Sequence, residues 1–117
     1  MKYESAALFA ITFAIVAPSL AHHSTSIYDT NSLFPVEGIV TEYEWKNPHT
    51  YLQIETSDDE GTRRTNIEAG SISWLRPLGL APDSFKIGDP VTVWVYPPAR
   101  PNSQVLLGRE IVRPDGT

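Results

Sequence analysis

The stretch VEGIVTEYEW, residues 36–45, decides the predicted fold, because polar and apolar residues alternate along most of its length. A period of two is typical of a strand with one buried face. Val36 and Ile39 are both expected to be buried although their spacing is odd, so Gly38 predicts a bulge or a bend between them. From Ile39 onward the alternation assigns one face to Ile39, Thr41, Tyr43 and Trp45, and the other face to Val40, Glu42 and Glu44.

The rest of the chain supplies four shorter strands and one helix. Strands are predicted at 51–55, 63–68, 91–96 and 105–112, with a polar hairpin at 58–61. Between the third and fourth strands, Ser71 is expected to cap a short helix that Pro77 ends. Three strands, a helix and two strands is the order of an all-β, five-stranded OB-like barrel with one short helix between strands three and four. A small SH3-like barrel or an open sheet are the alternatives.

The first 21 residues have the composition of a secretory signal peptide. Lys2 gives the charged start, residues 6–16 form an apolar run too short to span a membrane, and Pro18 breaks the helix. Ser19 and Ala21 stand where signal peptidase requires small residues. We therefore expect cleavage before His22, an arm at 22–33, a single β domain at 34–117, and a periplasmic or secreted location. An uncleaved anchor is the alternative.

Charge and cysteine content restrict the partners of the mature domain. The chain of 117 residues has a formal net charge of −5. A nucleic-acid surface needs clustered Lys and Arg, so this balance predicts that nucleic acid is not a partner. Docking on anionic lipid is disfavoured too. The chain has no cysteine, which excludes disulfides and a cysteine-linked lipid, and predicts no stable membrane anchor after cleavage.

The chain's histidines suggest a metal site. After cleavage His22 would carry a free α-amine beside its own imidazole, with His23 next to it and His49 after the Asn47-Pro48 turn. Neutral imidazole is the commonest metal ligand, and a planar set of three nitrogens suits Cu(II). We therefore predict copper binding by His22, His23 and His49. The alternative is that the paired histidines are only a cleavage context and that His49 is a turn residue.

A second candidate site is the corner at residues 45–51. Trp45, Asn47 and Tyr51 combine aromatic and amide groups beside His49, which is suitable material for a small ligand or a partner protein. The alternative is structural: Trp45 packs the barrel end, and Asn47 bonds the backbone of its own turn, as Asn often does.

Acidic residues and nucleophiles give no comparable signal. Glu42 and Glu44 share a strand face and could hold a cation, but such a pair is more often a solvated face. Glu68 ends the third strand, and no partner for it can be identified from the sequence. The chain has no cysteine and no Gly-x-Ser-x-Gly turn, so the sequence does not support nucleophilic catalysis. A metal-dependent oxidase or monooxygenase built on the three histidines is the remaining enzymatic alternative, and it would need an open coordination position.

Several segments together resemble a known family. They are the start Ala21-His22-His23-Ser24, the pair Tyr28-Asp29, the run from Glu37 through Trp45 to His49, Leu75-Arg76 with Gly79, and Lys86 to Val93. On these segments the chain resembles domain of unknown function 6152, a family of small exported bacterial proteins. The resemblance implies export and a small β domain, and it implies no catalytic residue. One departure is Thr65-Asn66 in strand three, where a Trp is expected.

These observations predict an exported binding domain. The first hypothesis is a copper-binding module that uses the processed terminus, with copper as the cofactor. The alternative is a metal-free module for a small ligand or a periplasmic protein, built on the corner of Trp45, Asn47 and His49. Only the first hypothesis requires His22 to be the first residue.

Overall fold

Residues 27–117, which a computed structural model of the protein describes, contain five strands that close into a barrel. The predicted signal peptide and the residues 22–26 lie outside this described part. The prediction of a five-stranded OB-like barrel with a helix between the third and fourth strands is confirmed. The elements are β1 (Phe34–Glu44), β2 (Tyr51–Asp58), β3 (Gly61–Glu68), α1 (Ile72–Leu75), a 3-10 turn (Arg76–Leu78), β4 (Pro90–Tyr96) and β5 (Val105–Val112).

The strands follow the order β1-β2-β3-β5-β4 around the barrel. All neighbours are antiparallel except β3 and β5, which run parallel where Asn66–Glu68 lie beside Val105–Leu107. The end of β3 therefore lies beside the start of β5. The barrel is thus closed at β3 and β5, which pair only over the last three residues of β3.

The interior is filled by the apolar positions of the alternating strands. The core residues are all almost completely buried: Val40, Leu52, Ile54, Ile67, Phe85, Val91, Val93 and Val95. Phe85 comes from the loop before β4 and packs edge-on against Tyr43, with ring centroids 5.0 Å apart. The Tyr43 hydroxyl donates a hydrogen bond of 3.0 Å to the Ala81 carbonyl. The loop at 81–85 is thereby fixed to the barrel.

One part of the β1 prediction is wrong, because the bulge lies at Thr41 and not at Gly38. Val40 pairs with Ile54 and Glu42 with Gln53, so Thr41 is the extra residue. The shift puts Val40 and Tyr43 both inside, while Ile39 is 45% exposed. Gly38 has another role: a Cβ there would lie 2.7 Å from the Glu55 carbonyl oxygen. The predictions that Ile39 is buried and that it shares a face with Tyr43 are therefore wrong, because the bulge changes the phase of the alternation within the strand.

The cap of helix α1 also differs from the prediction. Ser71 occupies the capping position, but its side chain makes no capping hydrogen bond. Asn47, from the turn before β2, accepts a hydrogen bond of 3.0 Å from the Ile72 backbone N–H through its side-chain oxygen. The cap therefore comes from a residue distant in sequence, which ties the β1–β2 connection to the helix.

Within residues 27–117, no helix has both the length and the apolar character that crossing a membrane requires.

Candidate functional site

The connection between β1 and β2 is fixed against the segment that follows β3. Thr50 is buried, its backbone N–H donates to the Gly70 carbonyl at 3.2 Å, and its carbonyl accepts from the Ala69 N–H at 2.8 Å. The Asn47-Pro48 bond in this connection is cis. This pairing places His49 beside Glu68, the last residue of β3.

Glu68 is the centre of a cluster that joins three segments of the chain. His49 Nδ1 lies 3.0 Å from Glu68 Oε1, so the ring N–H at this position donates to the carboxylate. The Tyr28 hydroxyl donates to Glu68 Oε2 at 3.0 Å. The side chains of His49 and Glu68 are 23% and 17% exposed, respectively, so solvent reaches the pair only in part. We call Tyr28, His49 and Glu68 the carboxylate cluster.

The N-terminal arm reaches this cluster through a short backbone pairing. Tyr28 forms a bridge with Pro98, and the Asp29 N–H donates to the Pro97 carbonyl at 2.9 Å. Tyr28 is 8% exposed. The arm is thus fastened beside the β1–β2 connection and the loop after β4.

Electrostatics keeps the phenols of this corner protonated. Burial raises the pKa of Tyr28, and its hydrogen bond to the Glu68 carboxylate raises it further. Burial also raises the pKa of Tyr51, with a smaller contribution from the charge of Glu68. Both effects disfavour the phenolate, because it would be poorly hydrated and close to a negative charge. Around neutral pH Tyr28 therefore remains a hydrogen-bond donor to Glu68.

The structure brings some predicted site residues together and separates others. His49 lies in the carboxylate cluster, and Tyr51 is directly opposite Glu68 in the β2–β3 register. Asn47 faces the helix, where it caps Ile72. His22 and His23 lie outside the described residues. Within residues 27–117 there is no group of three or more His, Cys, Asp or Glu side chains arranged to hold a metal ion.

Trp45 is the member of the predicted corner with an unusual environment. Its ring centroid lies 6.1 Å from that of Tyr43, and the residue is half-buried. The indole Nε1 is buried and donates to no residue of the described part of the chain. A buried N–H without an acceptor is destabilising by roughly 1–3 kcal/mol. Within residues 27–117 this donor is unsatisfied.

The predicted carboxylate pair lies on the outer face of the barrel. Glu42 and Glu44 line an open groove of about 240 Å³ together with Tyr51, Gln53 and Asn66. Lys46 lies at the same groove and pairs with Glu44. The two glutamates share a face, as predicted, and one of them is neutralised by a neighbouring lysine.

Sequence reasoning missed Tyr28 and undervalued Glu68. The signal for Glu68 was a carboxylate directly after a buried Ile67, at the end of a strand. The signal for Tyr28 was an aromatic residue in an otherwise polar arm. Neither signal identifies a partner, because the arm, the turn and the strand end meet only in the folded barrel.

The family comparison agrees with the resemblance noted in the sequence. Residues 11–106 match the model of a family of unknown function, DUF6152. The match covers most of the chain, and the protein belongs to this family. No curated protein matches the chain's sequence.

Solved structures share the barrel. Two crystal forms of the mitochondrial single-stranded DNA binding protein Rim1 from S. cerevisiae are similar to the chain. Form 2 gives a TM-score of 0.51 at 18% identity, covering 70% of this chain and 92% of that one. Form 1 gives 0.54 at 15% identity, covering 68% and 89%. At these identities the likeness establishes the fold alone.

This likeness corrects one prediction about partners. The acidic net charge was taken to exclude nucleic acid, but proteins that bind single-stranded DNA use the same barrel. The exclusion is overturned. Net charge describes the whole chain, whereas an interface depends on the charges of one face, so composition was a poor guide here.

Proposed function

We propose that the protein is an exported copper-binding module, in which His49 joins the processed terminus at His22 and His23. The observation that carries the proposal is the contact of 3.0 Å between His49 Nδ1 and Glu68 Oε1. Metal-ligating histidines commonly donate their second ring N–H to a carboxylate, which fixes the ring and increases its basicity. In this arrangement His49 would bind copper through Nε2.

The attachment of the arm supports the proposal. Tyr28 contacts the same carboxylate as His49, so this part of the arm lies close to the imidazole. Six peptide units separate His22 from Tyr28, and a chain of this length spans at most about 20 Å. A terminus tethered so close has a high effective concentration at His49. The amine and imidazole of His22 then need little additional entropy to complete a three-nitrogen site.

The test is native mass spectrometry of the mature chain, purified from periplasm and mixed with one equivalent of Cu(II). We expect a mass beginning at His22 with one copper, and electron paramagnetic resonance of a type II centre with nitrogen ligands. His49→Gln should lose the tight site. A chain with one alanine added before His22 is the matched control for the terminus, since it keeps every side chain and moves the amine. Copper uptake that neither change affects would contradict the proposal.

Glu68→Gln examines the orienting role of the carboxylate. We expect about 10–100-fold weaker copper affinity, because losing such a partner has this effect on metal sites. Glu55→Gln, on the outer face of β2, is the control. The far-ultraviolet circular dichroism of each variant should match that of the original chain, so that weaker binding cannot be assigned to unfolding.

A second candidate function follows from Trp45. Its buried, unpartnered indole N–H favours a metal-free module that binds an acceptor-bearing small ligand at the corner of Trp45, Asn47 and His49. Because Asn47 already caps Ile72, the donor offered to the ligand would be Trp45. Titration with acetate should shift the Trp45 indole resonance in proton–nitrogen spectra, and Trp74, 68% exposed, is the internal control. An unmoved Trp45 resonance would remove this candidate.

A further inference from the structure

The open groove on the outer face of the barrel is a separate feature from the carboxylate cluster. The register places Glu42 opposite Gln53 and Glu44 opposite Tyr51 across β1 and β2. Gln53 is in turn opposite Asn66 of β3. Val105, at the start of β5, completes the lining of a volume of about 240 Å³. The site thus spans four strands of a rigid sheet.

A row of hydrogen bonds fixes the orientation of the amides in the groove. The bulge residue Thr41 donates to Gln53 Oε1 at 3.0 Å, and Gln53 Nε2 donates to Asn66 Oδ1 at 2.9 Å. Because both amide oxygens accept within this row, the Asn66 side-chain NH₂ is directed away from it, and it donates to no described residue. The Glu42 carboxylate has no ion pair within residues 27–117. A fixed donor and an available acceptor therefore line one groove.

The other end of the groove is aromatic. Lys46 Nζ lies 5.5 Å from the centre of the Tyr51 ring and also pairs with Glu44. The Tyr51 ring is only half-buried, so a ligand can cover part of it. The groove consequently offers an aromatic surface beside hydrogen-bond donors and acceptors, some neutral and some charged.

We propose that this groove binds a short saccharide through Tyr51, Gln53, Asn66 and Glu42. Sugar hydroxyls donate and accept at the same time, so they can bond Asn66 and Glu42 together. The C–H face of a sugar ring can pack on Tyr51 and Val105. The volume is below the range of about 300–1,000 Å³ usual for drug-sized ligands, which suits one sugar ring. Barrels of this architecture bind oligonucleotides and oligosaccharides on the face of their second and third strands.

The charge of the groove distinguishes between a saccharide and an oligonucleotide as its ligand. Glu42 and Glu44 contribute two negative charges to the groove and Lys46 contributes one positive charge. A phosphate backbone would approach two carboxylates that share one lysine, whereas a neutral or amine-bearing sugar would not be repelled. The saccharide is therefore favoured over an oligonucleotide in this groove. This proposal needs no copper and does not depend on His49.

The test is a proton–nitrogen NMR titration of the mature chain with cellobiose, chitobiose, glucosamine and a short oligothymidine strand. We expect at least one sugar to shift the Asn66 and Gln53 side-chain resonances and the Tyr51 amide. Asn66→Ala should weaken that sugar's affinity by about tenfold, the usual effect of one lost hydrogen bond from a bound ligand. Absence of shifts with every sugar would overturn the proposal. Shifts of these resonances only by oligothymidine would overturn it in favour of nucleic acid.

Glu42→Gln gives an independent reading, with Glu110→Gln as its matched control. Glu110 is an exposed carboxylate on β5, opposite Trp94 and away from the groove. Glucosamine affinity should fall several-fold in Glu42→Gln and remain unchanged in Glu110→Gln, since only Glu42 faces the bound amine. Equal affinities in the two variants would contradict the role of Glu42. Spectra of the other residues should overlay those of the original chain, which confirms that both variants fold.

Discussion

Tyr43 and Tyr28 both bury a phenol and donate one hydrogen bond of 3.0 Å, but they donate to different kinds of acceptor. Tyr43 lies on the inner side of β1, beside Phe85, and its acceptor is the neutral Ala81 carbonyl. Tyr28 comes from the arm, and its acceptor is the Glu68 carboxylate that also accepts from His49. The first arrangement fixes the loop at 81–85 to the barrel. The second brings a phenol, an imidazole and a carboxylate together in one half-buried corner.

The largest loss of stability is expected when the packing around Tyr43 is disrupted. Phe85→Ala removes a ring that is 6% exposed and packs against Tyr43. Because the barrel cannot fully close the cavity, the free energy of unfolding should fall by about 3–5 kcal/mol in urea denaturation. Ile87→Ala is the control, since Ile87 is 81% exposed. A loss in Ile87→Ala as large as that in Phe85→Ala would contradict the packing described here.

The sequence predicted the barrel around Tyr43 better than the carboxylate cluster around Tyr28. Alternating polar and apolar residues identified the strands, and the order of elements identified the barrel. These features depend on local periodicity, which can be read along the chain. The bulge at Thr41 was missed because a single inserted residue leaves no change in composition.

The candidate site was only partly predictable, because its contacts are long-range. His49 and Tyr51 were named from the sequence, whereas the Glu68 carboxylate that contacts His49 was left without a partner. Tyr28 is 40 residues away from Glu68. Asn47 was assigned either to a ligand site or to its own turn, and it instead caps a helix 25 residues later. Side-chain pairing at such separations follows from the closed barrel and not from any local pattern.

Removing each phenolic hydroxyl in turn compares a hydrogen bond to a charged acceptor with one to a neutral acceptor. Tyr28→Phe should lower the free energy of unfolding by about 1.5–3 kcal/mol, because hydrogen bonds to charged groups are the stronger class. Tyr43→Phe should cost about 0.5–1.5 kcal/mol, the range for a neutral acceptor. Both are measured by urea denaturation at pH 7. A larger loss in Tyr43→Phe than in Tyr28→Phe would show that the charge of Glu68 does not strengthen the arm's attachment.

Alkaline pH should destabilise the fold through the same two phenols. Burial raises the pKa of Tyr43 to about 12, and the pKa of Tyr28 is raised as well. A group whose pKa is higher in the folded state contributes stability that is complete below its unfolded pKa, near 10, and is lost as pH rises through the folded value. The free energy of unfolding should therefore fall between pH 10 and 12, by at most about 1.4 kcal/mol per pH unit for each phenol. Tyr43→Phe should have the shallower slope, and an unchanged slope would contradict the assignment.

The smallest effect concerns the corner's link to helix α1, where two candidate caps can be compared directly. Asn47 accepts from the Ile72 N–H, whereas the Ser71 side chain makes no capping bond. Asn47→Ala should lower the free energy of unfolding by about 0.5–2 kcal/mol, the usual range for a lost cap, and should speed hydrogen exchange at the Ile72 amide. Asn47→Asp should retain most of this stability, because it keeps the oxygen acceptor. Ser71→Ala should change both quantities little. If Ser71→Ala were instead the more damaging variant, the helix would be capped locally, and the corner would be free to move independently of the helix.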